Sequence, residues 1–160
     1  MSYFVTGGTG FIGRFLIGNL LKRKGSIHVL VRKASMKKFD AMVKKQGWDP
    51  KRVIAVPGDM TAANCGLSAA QVRALAGKVQ HFFHLAAIYD LTASAAEQQA
   101  ANIDGTRHAL DLAAALKVKC FHHASSIAAA GLYPGVFRED MFDEAEGLDD
   151  PYLRTKHDSE

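Results

Sequence analysis

Tyr152 and Lys156 stand four positions apart in Tyr152-Leu153-Arg154-Thr155-Lys156. On a helix, residues i and i+4 share a face. A lysine ammonium beside a phenol favours the phenolate, whose free pKa is about 10. Such a tyrosine can give a proton to a carbonyl oxygen while hydride arrives at the carbonyl carbon. By itself this spacing is weak evidence. Ser126 lies 26 residues upstream in Ala124-Ser125-Ser126-Ile127, and its hydroxyl could hold the same oxygen. A serine at the end of a strand can equally cap a turn. Tyr152 is what tips the reading toward catalysis.

A second group of residues points to a nucleotide. Thr6-Gly7-Gly8-Thr9-Gly10-Phe11-Ile12-Gly13 places glycine at 7, 10 and 13, between an apolar β run and a helical pattern. In a dinucleotide fingerprint the first glycine makes a tight turn. The second admits pyrophosphate to the backbone, and the third lets helix and strand pack closely. The helix N-terminus then offers free N–H groups and its positive dipole end to the phosphates. Gly7, Thr9, Gly10, Phe11, Ile12 and Gly13 are therefore candidate cofactor contacts. The second strand ends in Val31-Arg32-Lys33. An acid there would hold the ribose 2′-hydroxyl of NAD; Arg32 can instead clamp a 2′-phosphate. Lys33, Lys37 and Lys38 add positive charge nearby. The expected cofactor is NADP, bound as NADPH; the plain alternative is an Arg32 that only faces solvent.

These residues need a scaffold. Strand-like runs cover residues 3–6, 27–31, 53–56, 79–86 and 119–124. Between the first two, Phe11, Ile12, Phe15, Leu16, Leu20 and Leu21 recur at helix spacing, with Gly25 as the expected C-terminal stop. Helices are expected over 34–46, 67–76 and 95–116, the last with Asn102, Gly105 and Thr106 interrupting its apolar face. A loop rich in glycine, proline and acids spans 131–150, and a final helix opens near Pro151, a good first helical residue. Alternating strands and helices predict an α/β fold, a Rossmann-type doubly wound parallel sheet with right-handed crossovers. Ligands of such sheets bind beyond the carboxyl ends of the strands. Residues 1–160 are expected to form one NAD(P)-binding domain. The last helix opens near Pro151 and meets no stop signal by Glu160. The chain is therefore expected to be the N-terminal part of a longer reductase, with its substrate region beyond residue 160.

Composition narrows the class. The 160 residues are 48% apolar and 22% charged, ordinary for a globular protein. No apolar run reaches the roughly 20 residues of a membrane span, and no export signal opens the chain. Twenty basic against 16 acidic residues give a net charge of +4. The basic residues gather between positions 22 and 52 and the acids between 139 and 150, a pattern of solvated faces. No nucleic-acid partner is expected. Cys65 and Cys120 form no disulfide framework and fit a reducing cytoplasm. The seven histidines show no metal-ligand spacing, so no metal is expected.

The chain resembles the N-terminal part of an extended short-chain dehydrogenase/reductase. The resemblance rests on the glycine turn at 6–13, Gly58-Asp59-Met60-Thr61, His84-Leu85-Ala86-Ala87, Asn102-Ile103-Asp104-Gly105-Thr106, Ser125-Ser126 and Tyr152-x-x-x-Lys156, in that order. In detail it is similar to the reductase domain of bacterial fatty acyl-CoA and fatty aldehyde reductases. That likeness is carried by His84-Leu85-Ala86-Ala87-Ile88-Tyr89-Asp90, by residues 121–131, and by the Tyr152 segment with His157. The resemblance implies that Asp59 bonds the adenine amino group with Met60 beside the ring. Leu85, Ala86 and Ala87 would line the cofactor, and Asn102 would hold backbone and water near the active site. Ser126 would orient the carbonyl. Tyr152 would supply the proton, and Lys156 would also bond the nicotinamide ribose. It implies NADPH-dependent reduction of a small-molecule carbonyl, a long-chain fatty acyl-CoA or aldehyde, in the cytoplasm. Sugar-nucleotide, steroid or phenolic carbonyls are same-family alternatives. A non-catalytic NADP sensor is a third, disfavoured by intact Ser126, Tyr152 and Lys156.

Overall fold

Apolar strands with few polar interruptions call for burial on both faces. The computed structural model, which describes residues 2–90 and 92–160, has that arrangement. Its five strands are β1 (Ser2–Thr6), β2 (Ser26–Val31), β3 (Val53–Pro57), β4 (Val79–His84) and β5 (Cys120–His123). They form one sheet in the order β3-β2-β1-β4-β5, every pair parallel. Strand order reverses at β1, so the switch point lies between β1 and β4. The helices are α1 (Phe11–Leu20), α2 (Met36–Lys45), α3 (Ala69–Leu75), α4 (Ala95–Gln98), α5 (Gly105–Ala115) and α6 (Pro151–Asp158). Among the described residues no helix is long and apolar enough to cross a membrane.

The chain divides into two compact units. The first runs to Ala86 and resumes over His108–Ala124; it holds the sheet. On one sheet face Tyr3, Val5, Ile27, Val29 and Val31 pack with Ile17 and Leu20 of α1 and Phe39 and Val43 of α2. On the other, Phe4 and Phe82 pack with Ala109, Leu112 and Leu116. The second unit comprises Ala87–Arg107 and Ser125–Glu160. In it α4 runs through a π turn, Gln99–Asp104, into the start of α5. This is the predicted long helix, and the π turn falls where Asn102 broke its apolar pattern. Such turns concentrate at functional sites.

Four local expectations need correction. Phe11, Ile12 and Phe15 do not form the inner face of α1; they are 70%, 63% and 62% exposed, and Gly13, Ile17 and Leu20 are buried instead. The close approach of Gly13 to the preceding turn fixes the helix's rotation. Residue 11, about 200° away around the helix, then points outward. Gly25 does not stop α1, which ends at Leu20. The Arg52 guanidinium closes that end by donating to the carbonyls of Leu21, Arg23 and Gly25. Lys33–Ser35 form a 3₁₀ turn ahead of α2. β4 ends at His84, so Leu85 and Ala86 belong to the loop beyond it.

Arg52 thus satisfies three carbonyls across the α1–β2 turn. Arg52→Ala is expected to cost about 1–3 kcal/mol, read as a lower denaturant midpoint, with Arg52→Lys restoring only part. An unchanged midpoint would show that the turn closes without it.

Candidate active site

In the first unit the site is built on the ends of β1 and β4. Thr6 is fully buried. Its Oγ1 accepts the N–H groups of Leu85 and Ala86 at 3.2 and 3.3 Å and lies 2.8 Å from His84 Nδ1. With both lone pairs used, the hydroxyl proton goes to Nδ1, which places the ring proton of a neutral His84 on Nε2. The knot brings the 85–86 backbone against the glycine turn. Gly7 has φ +69°, and a Cβ there would lie 2.8 Å from Ala86 N. At Gly13 a Cβ would lie 2.4 Å from Gly7 O. Only glycine fits at either place. Gly10 caps α1 without a side chain, so no side-chain cap occupies the first N–H groups of the helix, at Phe11, Ile12 and Gly13. Thr9 lies half-buried in the turn. This is a cradle for pyrophosphate.

Arg32 and Asp59 meet at one cleft. A cavity of about 530 Å³ is lined by Arg32, Lys33, Ser35, Gly58, Asp59 and Gly66. Asp59 Oδ1 accepts the Thr61 N–H at 3.0 Å and its hydroxyl at 2.8 Å. The Thr61 N–H holds the Asp59 carboxyl below its usual range, against partial burial; the Thr61 hydroxyl and the Arg32 charge add to it. Asp59 is therefore ionised with Oδ2 left to accept an amino group. Met60 is fixed through its carbonyl, which takes a hydrogen bond from His108 Nδ1 at 3.0 Å. The glycine cradle and this cleft have the residues to hold a dinucleotide, with free N–H groups at the start of α1 and a carboxylate acceptor at Asp59.

In the second unit the site is built on α6. Asp150 caps it, accepting the N–H groups of Tyr152 and Leu153 at 2.8 and 3.2 Å, with Pro151 at its start. Tyr152 and Lys156 follow one turn apart. Two side chains fasten the helix. Asn102, 2% exposed, accepts the Ile88 N–H at 2.8 Å and donates to Ile88 O and Thr155 Oγ1, both at 3.1 Å. His157 Nδ1 donates to Ala129 O at 3.0 Å, and its ring stacks on Phe142 at 4.2 Å. Ala129 lies in the 3₁₀ turn Ile127–Ala130, which Ser126 opens: Ser126 Oγ accepts the Ala128 N–H at 3.2 Å. Capping and catalysis are compatible here, because an accepting hydroxyl still has a proton to donate.

The geometry brings Ser126, Tyr152, Lys156 and Asn102 into one unit, and Asn102 bonds the Ile88 backbone there. Both its amide protons are committed to protein partners. It is a positioning residue joining the loop after Ala87 to α6. Ala87 opens that loop, next to Ile88. Three contributors escaped the sequence reading: Thr155, His157 and Tyr89. Tyr89 is 73% exposed and sets its ring edge-on to Tyr152 at 4.8 Å. All three act through partners distant in sequence, and only the linear motif around them was visible.

Lys156 is 3% exposed. Burial pushes its pKa below the usual lysine value, partly opposed by the Glu160 charge. The unfolded chain therefore holds this proton more tightly. Stability should rise as pH climbs from the folded value to about 10.4, where the burial cost is gone. Lys156→Met is expected to melt higher than wild type at neutral pH, with the gap narrowing toward pH ~10. Parallel melting-against-pH curves would contradict it.

The chain is similar to several known proteins. The NAD-binding family described as male sterility protein matches residues 5–160. A linear gramicidin synthase of Brevibacillus parabrevis is 34% identical over 95% of this chain and 3% of its own length. A Drosophila melanogaster protein named for fatty acyl-CoA reductase, CG8306, is 26% identical over 77% of this chain and 27% of its own. The crystal structure of the terminal R domain of the myxalamid PKS-NRPS pathway superposes with a TM-score of 0.83 at 27% identity, over 99% of this chain and 43% of that one. The chain thus spans less than half the length of each. The fold, the glycine cradle and the Tyr152–Lys156 helix agree with the match: the chain belongs to the male sterility family of NAD-binding extended short-chain dehydrogenase/reductases.

Proposed function

We propose that this chain is the nucleotide-binding and catalytic part of an NADPH-dependent reductase acting on an acyl thioester or the corresponding aldehyde. The observation that carries the reading is α6, which sets Tyr152 one turn from a buried Lys156 and is pinned by His157 to the turn that Ser126 opens. When bound, the nicotinamide supplies a hydride to the carbonyl carbon. Ser126 holds the carbonyl oxygen with its unspent proton. Tyr152 gives that oxygen a proton as negative charge develops on it. Lys156, one turn further along α6, supplies a positive charge that favours the transfer as the transition state forms. With a thioester, collapse of the resulting hemithioacetal releases the thiol and leaves an aldehyde. With an aldehyde the product is the alcohol.

The substrate class draws support from two of the relatives: one is named for fatty acyl-CoA reductase, and the other for linear gramicidin synthase. A fatty acyl-CoA is a thioester, and the chemistry above handles it without further groups. Arg32 at the rim of the adenosine cleft supports NADPH over NADH, since a guanidinium matches a phosphate bidentately. The substrate-shaping region is proposed to lie beyond residue 160, as part of a longer polypeptide.

The test is NADPH oxidation by the full-length polypeptide with fatty acyl-CoA and with decanal. Tyr152→Phe is expected to lower turnover about 10²–10⁴-fold while NADPH affinity stays near wild type. Arg32→Asp is expected to weaken NADPH about 10- to 100-fold and NADH far less. Near-normal turnover by the Phe variant would remove Tyr152 from the reaction. Equal losses for both nucleotides would remove Arg32 from the 2′-phosphate. NADPH binding without turnover on any carbonyl would favour a sensor.

A further inference from the structure

The pairing of β4 with β5 makes a cluster that linear spacing hides. His81 registers opposite Cys120, and Phe83 opposite His122. Side chains alternate along a strand, so Cys120 and His122 share one face of the sheet. His81 lies on that face, stacked on Tyr3 at 6.0 Å and on His122 at 5.3 Å. His81 Nδ1 and His122 Nε2 approach to 3.1 Å, and Cys120 Sγ lies 3.9 Å from His122 Nδ1. One donor atom from each residue falls within 4.8 Å of the other two. The two imidazoles are half-buried and aim ring nitrogens at one another, with a shared proton between them.

We infer that His81, Cys120 and His122 form a binding site for a thiophilic divalent cation of the zinc class, clamping β4 to β5. Tetrahedral zinc, with bonds of about 2.0–2.1 Å to nitrogen and 2.3 Å to sulfur, needs ligand atoms about 3.3–3.7 Å apart. The three donor atoms lie within 4.8 Å of one another, and side-chain rotation closes the set while the paired strands stay fixed. The cation replaces the proton shared by the two rings. Cys120 binds as thiolate and releases one proton to solvent; nothing is oxidised or reduced. Cys65 cannot substitute, being fully buried with its thiol pushed up to about 12. Three protein ligands leave a fourth position. A cavity of about 330 Å³, walled by Tyr3, Asn19, Arg23, His81, Phe83 and His122, lies against the two imidazoles. The buried Tyr3 hydroxyl, which has no hydrogen-bond partner among the described residues, belongs to the same wall.

Cobalt is the probe, with zinc as competitor, on the full-length polypeptide. One equivalent of Co²⁺ should give a thiolate-to-cobalt charge-transfer band that Zn²⁺ abolishes. Cys120→Ser should lose the band and Cys65→Ser should keep it. His81→Gln and His122→Gln should each weaken binding at least about tenfold. Zn²⁺ should also slow alkylation of Cys120 in wild type and leave the rate in His122→Gln unchanged, a readout that needs no colour. A band that survives Cys120→Ser, no band in wild type, or alkylation indifferent to Zn²⁺ would each overturn the site.

Discussion

One buried hydroxyl decides whether the nucleotide cradle exists. Thr6 Oγ1 ends β1, receives two N–H groups from the loop after β4, and passes its own proton to His84. Those bonds bring the 85–86 backbone so near the glycine turn that Gly7 has no room for a Cβ. Parallel strands splay apart beyond their last ladder bond, and here that gap lies at the topological switch point. Thr6 sets its width. The helix N-terminus of α1 and the Arg32–Asp59 cleft are both defined relative to strands that Thr6 and its neighbours hold in register.

The second unit solves a different problem. Its helix α6 is eight residues long, too short to persist on its own in water. Asp150 starts it, Asn102 ties its middle to Ile88, and His157 ties its last turn to Ala129. The bond from Asn102 to Thr155 is buried, so it also fixes geometry. Lys156 works against this economy. Its burial costs stability in the charged state.

What could be read in the sequence was local. The strand–helix alternation, the glycine spacing, Arg32 at a strand end and the i,i+4 pair on α6 depend on neighbours within a few positions, and the structure reproduces their placement. The misses arose where a distant partner decides. Phe11 and Phe15 have helical spacing, yet the turn that contacts Gly13 rotates them outward. Arg52 looked like one more solvated cation until three carbonyls some 30 residues away claimed it. Asn102 meets Thr155 across 53 residues, and His81 meets His122 across 41. Strand register and helix docking create those pairs, and no spacing rule along one chain encodes them.

We propose that this chain directs hydride to a carbonyl carbon while Tyr152 delivers the proton. Deuterium transfer tests it most directly. NADPH carrying deuterium at the transferable nicotinamide position is incubated with the full-length polypeptide and a fatty acyl-CoA, and the product is read by mass spectrometry. The account predicts an aldehyde with one deuterium on the former carbonyl carbon from wild type, and loss of that product in Tyr152→Phe at saturating nucleotide. Unlabelled aldehyde, or the same labelled yield from the Phe variant, would contradict it.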